Sequence, residues 1–111
     1  MIETKRIYLR YFKESDAQAL FDYLSRPEVA RFEPYHPLNY EQAKEQAIYR
    51  SKDRSFYAIC LKENDQLIGN LYFAPQEPNY IKTYALGYVL NPKYQKQGYA
   101  TEACQALLEY A

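Results

Sequence analysis

The sequence predicts an α/β chain of the α+β kind, with a mixed, mostly antiparallel sheet, helices packed on it, and the order β-α-α-β-β-β-α. Three observations lead there. Short apolar runs rich in aromatic and β-branched residues recur along the chain, the pattern of half-buried or buried strands. Two stretches with helical spacing lie between the first and second of these runs, each opened by a capping signature. The last strand passes through a short polar loop into a helix with a single apolar face.

Taken in order, Ile7-Tyr8-Leu9-Arg10-Tyr11 alternates, with Ile7, Leu9 and Tyr11 on one face, and reads as a strand. Ser15 and Gln18 form a capping box, Ser-Asp-Ala-Gln, and the helix that follows carries Ala17, Leu20, Phe21 and Leu24 inward before Pro27 stops it. Arg31 to Leu38, with Pro34 and Pro37, is an extended loop. Asn39 and Gln42 are a second capping signal, before a helix through Ala43, Ala47 and Ile48. Phe56 to Leu61 is a continuous apolar run, Glu63-Asn64-Asp65 is turn chemistry, and Leu67 to Phe73 is the returning arm of a hairpin. Gly69 inside that arm marks a bulge or a close backbone approach. A polar loop from Pro75 to Asn79 leads to a strand from Tyr84 to Leu90, which Asn91-Pro92 ends. From Tyr99 onward Ala100, Ala103, Cys104, Leu107, Leu108 and Ala111 fall on one helical stripe, with Thr101, Glu102, Gln105 and Glu109 outside it.

Composition narrows the function classes. A chain of 111 residues, 48% of them hydrophobic, forms one domain over residues 1–111. A formal net charge of zero argues against a nonspecific binder of nucleic acid or of membrane surfaces, either of which carries a basic excess. No apolar run approaches the roughly 18 residues of a spanning helix and no basic-then-apolar leader opens the chain, so a cytoplasmic location is expected. Cys60 and Cys104 fall in core positions rather than in a paired motif, and are expected as reduced, buried thiols. One histidine and two separated core cysteines make no metal site.

The informative stretch is Gln95-Lys96-Gln97-Gly98-Tyr99-Ala100, between a strand and a helix start. The first amides of a helix have no partner inside it, and its macrodipole adds about half a positive charge at that end. A loop whose amides curl toward one point makes a nest for phosphate oxygens. Gly98 lets backbone approach a diphosphate closely, and the small Ala100 keeps the helix start open. The stretch lacks the Gly-Lys-Ser/Thr ending of a P-loop and the three spaced glycines of a dinucleotide fingerprint.

Gln95-x-x-Gly98-x-Ala100, after a strand ending in Asn91-Pro92, resembles the acyl-CoA signature of the GNAT acetyltransferase superfamily. Leu86-Gly87-Tyr88, Asn91-Pro92 and Gly98-Tyr99-Ala100-Thr101-Glu102-Ala103 are similar to the subgroup that acetylates N-termini of ribosomal proteins. So is the opening, from Ile2-Glu3-Thr4-Lys5-Arg6 through Leu9-Arg10 to Asp16-Ala17. The resemblance spans nearly the whole chain, but such domains continue for about a further third, so it implies a GNAT-like sheet without its C-terminal strands. It implies acetyl-CoA as cosubstrate, bound at Gln95, Lys96, Gln97, Gly98, Tyr99, Ala100 and Thr101, with backbone amides from about Lys96 to Ala100 on the diphosphate. The backbone of Tyr88, Val89 and Leu90 would pair with the pantetheine arm as with an added strand.

The reaction implied is direct acetyl transfer from a thioester to a primary amine, of a protein N-terminus first and of a small molecule second. A backbone N–H near Val89 or Leu90 would polarise the carbonyl. The carboxylate that usually serves as base just before the Leu-Gly-Tyr segment is Ala85 here, and the usual tyrosine acid would lie beyond residue 111. No catalytic residue is therefore assigned. Glu33, Tyr35, His36 and Glu77 read as solvated loop residues, with the acceptor groove as the alternative. Two other readings stay open: a catalytically silent CoA-binding module, and a module that uses the fold to dimerise. A chain ending at Ala111 would leave part of the helix stripe and one sheet edge uncovered, so either a homodimer through the Tyr84–Leu90 edge or the final helix covers that surface, or the monomer is poorly soluble.

Overall fold

The alternation at the start of the chain folds into the second of the five strands among the described residues. In the computed structural model of the protein, residues 2–30, 37–76 and 83–110 are described, without the side chains of residues 30, 74–76 and 83–86. The strands are β1 (Ile2–Glu3), β2 (Ile7–Tyr11), β3 (Phe56–Leu61), β4 (Leu67–Gln76) and β5 (Thr83–Leu90). The helices are α1 (Ala17–Leu24), α2 (Pro27–Ala30), α3 (Tyr40–Lys52) and α4 (Tyr99–Tyr110). The strands lie in chain order, β1-β2-β3-β4-β5, and every pairing among the described residues is antiparallel. The sheet is thus a meander, with α1 to α3 inserted as one excursion between β2 and β3.

Its two faces are filled differently. Leu20, Tyr23 and Leu24 of α1 and Ala43 and Ala47 of α3 pack on Ala58 and Cys60 of β3 and Leu67 of β4. On the other face Ala103 and Leu107 of α4 pack on Ile7, Leu9, Ile59, Ile68 and Leu71. Leu67 and Asn70 contribute to the same face although they are three apart, because the register slips at Ile59/Cys60 and Ile68 is the extra residue of a bulge. Gly69 sits in that bulge for a steric reason: a Cβ there would lie 2.3 Å from the Val89 carbonyl oxygen. Bulge and close approach occur together.

Several expectations need correction. Ser15 caps nothing; a short 3₁₀ turn, Glu14–Asp16, precedes α1, and the Asp16 carboxylate accepts the Lys13 N–H at 2.8 Å. That carboxylate also takes a two-point contact from Arg10, both distances 2.9 Å, so its pairing with β2 decides where the helix begins. Gln18 instead donates to Asp22 one turn along. Pro27 stops α1 but opens α2, where a missing N–H costs nothing. Pro75 and Gln76 extend β4 rather than starting a loop, and β1 adds a first strand too short to stand out from the sequence. In α3 the Asn39–Gln42 capping box forms in both directions, at 2.9 and 2.8 Å. The side chain α3 buries near its end, however, is Arg50, while Ile48 is exposed. Tyr11, expected inward, is also largely exposed, with its ring stacked 5.3 Å from that of Tyr57.

Candidate functional site

The outer edge of β5, the loop after it and the first turn of α4 enclose an open groove of about 650 Å³. Asn91 and Pro92 make this arrangement locally. Proline cannot extend the strand, so residues Pro92–Tyr94 turn into a 3₁₀ helix, whose first N–H groups find no partner within it. The Asn91 side chain accepts the Lys93 N–H at 3.1 Å, and its own N–H still donates to Ile68 of β4 at 2.8 Å. Loop side chains then bond backward onto the loop's own carbonyls. Gln95 Nε2 donates to the Leu90 carbonyl at 3.3 Å and Gln97 Nε2 to that of Lys93 at 3.1 Å. Both glutamines brace the turn.

Two residues of this loop adopt left-handed backbone, Lys96 with φ of 62° and Gly98 with φ of 84°. For Gly98 that conformation carries no Cβ penalty; for Lys96 it costs on the order of 1 kcal/mol and persists only because the surrounding bonds fix it. Glu102 N–H closes the first turn of α4 on the Gly98 carbonyl at 3.0 Å. The helix's own ladder therefore leaves the amides just before Glu102 without partners in α4.

Tyr88, Val89, Leu90, Gln95, Lys96, Gly98, Tyr99, Ala100 and Thr101 all line the groove; Gln97 does not, and its carbonyl accepts from Arg6. Glu28 and Val29 of α2 form the opposite wall. No sequence pattern flagged them, because α2 is one turn long and its place depends on the fold. Along β5 the antiparallel ladder alternates, so the Asn91 N–H directed at β4 turns the Leu90 N–H and carbonyl toward the groove. Gln95 occupies that carbonyl, which leaves the Leu90 N–H as the outward donor.

Behind the loop, Glu102 departs from the expected outer face of its helix. It is half-buried and accepts from the Thr4 hydroxyl, the Arg6 backbone N–H at 3.1 Å and Arg6 Nε at 2.7 Å. Burial alone would raise its pKa, but the hydrogen bonds from Thr4 and Arg6 outweigh it and hold the carboxyl below its ordinary value. Cys60 is buried, whereas Cys104, expected in the core, is only half-buried. Glu33, Tyr35, His36, Glu77 and Ala111 lie outside the described residues, as does the side chain of Ala85, whose backbone pairs with Ala74. Among the described residues no three His, Cys, Asp or Glu side chains cluster as metal ligands, and no helix is long and apolar enough to cross a membrane.

The uncharacterised N-acetyltransferase YnaD of Bacillus subtilis is 37% identical over 110 residues, covering 98% of this chain and 64% of YnaD. A solved GNAT-family acetyltransferase from Bacillus anthracis superposes with a TM-score of 0.90 at 29% identity, over 98% of this chain and 64% of that one. The chain thus spans just under two thirds of these relatives. A ribosomal-protein-S5-alanine acetyltransferase from Vibrio fischeri shares the fold alone, with a TM-score of 0.69 and 19% identity over 97% of this chain and 64% of that one. The acetyltransferase (GNAT) domain matches residues 6–111, a span that takes in β2 to β5 and all the helices, and this chain belongs to that family.

Proposed function

We propose that the protein is an acetyl-CoA-dependent N-acetyltransferase whose cosubstrate lies in the groove along β5. The observation that carries this reading is the left-handed Gly98, which lines the groove at the mouth of α4, where the first amides of the helix have no partner within it. The residues present fit the group. Amides from Lys96 to Ala100 suit a diphosphate, and the β5 edge suits an extended amide chain. Acetyl-CoA supplies the acetyl group already activated as a thioester.

The chain's own residues then have definable tasks. The first turn of α4 anchors the anionic end, and Lys96 adds a positive charge beside it. The Leu90 N–H, directed outward, serves as the donor for oxygen charge that develops during transfer. Ala85 offers no proton acceptor where the family resemblance places one, so the acceptor amine must arrive neutral or lose its proton to solvent. A rate that follows the amine's own ionisation is the expected consequence.

The acceptor class rests on the resemblance of Ile2–Arg6 and Gly98–Ala103 to enzymes of ribosomal-protein N-termini, which supports a protein N-terminus first and a small amine second. Two free thiols are in keeping with a reducing, cytoplasmic setting. Ala85 also favours one alternative, a CoA-binding module without catalysis. Titration with acetyl-CoA, followed by thiol release in the presence of N-terminal peptides and small amines, tests both. Binding with amine-dependent thiol release is expected; binding without release with any amine supports the silent module, and no binding overturns the assignment.

A further inference from the structure

The two segments that carry the family resemblance, at opposite ends of the chain, meet behind the anion-binding loop. Arg6 makes most of the contact. Its Nε donates to Glu102 Oε1 at 2.7 Å, its Nη1 to the Gln97 carbonyl at 3.0 Å, and its guanidinium lies 4.2 Å from the centre of the Tyr99 ring. A Cβ on Gly98 would come within 3.3 Å of Arg6 Nη2, so the guanidinium stands directly behind the glycine.

Resting on the reading above, we propose that Arg6 is a positioning residue for the diphosphate of the cosubstrate: it aims the Gly98 amide into the groove. The reason is planarity. The Gln97 carbonyl and the Gly98 N–H belong to one trans peptide unit and point in opposite directions. Holding that carbonyl on the Arg6 side turns the Gly98 N–H to the other side, where Gly98 lines the groove.

Arg6 has a second effect through Glu102. A carboxylate in the first turn of a helix ordinarily interacts with the positive end of the dipole and repels an incoming anion. Here Thr4 and Arg6 draw it toward β2 and neutralise it. A purely structural role is the competing explanation. It lowers CoA and pantetheine binding alike, whereas loss of the Gly98 aim lowers CoA binding alone, so the ratio of the two affinities separates them.

The test compares CoA with pantetheine, which lacks the diphosphate, in the parent, Arg6→Lys and Glu102→Gln. Backbone ¹⁵N shifts are recorded alongside, and the chain has only 3 glycines, which makes the Gly98 resonance easy to follow. Arg6→Lys should weaken CoA about tenfold, the equivalent of one good hydrogen bond, and pantetheine less than about twofold. The Gly98 amide should move without ligand and lose most of its CoA-induced shift. Glu102→Gln frees Arg6 but also removes a negative charge beside the helix start, so its net effect on CoA should be smaller than that of Arg6→Lys, with the Gly98 amide still displaced. An Arg6→Lys variant that binds CoA as the parent does, or that loses CoA and pantetheine by the same factor, would overturn the proposal. If Arg6→Lys does not fold, an unmoved Gly98 amide in Glu102→Gln overturns it. A parent that binds no CoA would instead bring down the reading of the groove itself.

Discussion

The two faces of the sheet are held by different means. Under α1 and α3 the packing is continuous and contains buried polar groups: Arg50, 8% exposed, lies between the rings of Phe12 and Phe56, at 5.4 and 4.5 Å. Asn70 of β4 accepts from both Arg50 at 3.1 Å and the Tyr23 hydroxyl at 2.5 Å, joining both helices to the sheet. Under α4 a single helix lies across the sheet. Its N-terminal end is fixed by Arg6 and Thr4, whereas near its C-terminal end Leu108 is 53% and Tyr110 70% exposed. Both faces stabilise the domain through apolar burial. Only the second also places a helix start against a groove, with polar contacts concentrated where the ligand is proposed to lie.

The largest expected effect divides two neighbouring leucines of α4. Leu107 is 1% exposed and Leu108 points outward, so Leu107→Ala should cost about 3 kcal/mol and Leu108→Ala less than about 0.5 in urea unfolding. Equal effects would mean that α4 does not pack as described. Next, Asn70→Ala removes the shared acceptor of Arg50 and Tyr23 and should cost about 2 kcal/mol, with CoA affinity unchanged. A parallel loss of CoA binding would show that the two faces are coupled.

A smaller effect is expected from pH. Glu102 has a depressed folded-state pKa, so its contribution is complete above the unfolded value near 4.3 and is lost as pH falls through the folded one. The stability difference between parent and Glu102→Gln should therefore shrink on acidification below about pH 5. A constant difference would remove the ion pair from the account. The smallest perturbation is thiol labelling. Burial pushes both thiols up in pKa, so access decides the rate. Cys104, half-buried on the α4 face, should react in the folded protein, and Cys60, fully buried on the other face, only on global unfolding. Similar rates for both would mean that the two faces open together.

What the sequence revealed follows from the range of the interactions involved. The strand, loop and helix from Tyr84 onward are local: proline stops, glycine turns and apolar spacing act within a few residues, and the groove's loop was placed from them. Gly69 was legible for the same reason, since only a special backbone environment makes glycine useful inside a strand. Arg6 and Glu102 were not linked, because they are 96 positions apart and each alone reads as a solvated charge. Arg50 and Tyr23 were missed inside their helices because burying a polar side chain depends on a partner, here Asn70, that another element supplies. Ser15 failed as a cap because Asp16 had the stronger claim, through the Arg10 guanidinium on β2.

The central claim is that the helix start at Gly98 holds the diphosphate of acetyl-CoA, and calorimetric titration of three proteins tests it most directly. The parent should bind. Gly98→Ala introduces a Cβ at a φ of 84°, on the Arg6 side of the loop, and Gly98→Glu extends a negative charge from there that competes with Glu102 and the Gln97 carbonyl for Arg6. Affinity should fall modestly in the first and by well over about tenfold in the second, with the fold of both retained. A folded Gly98→Glu variant that binds acetyl-CoA as tightly as the parent would contradict the account.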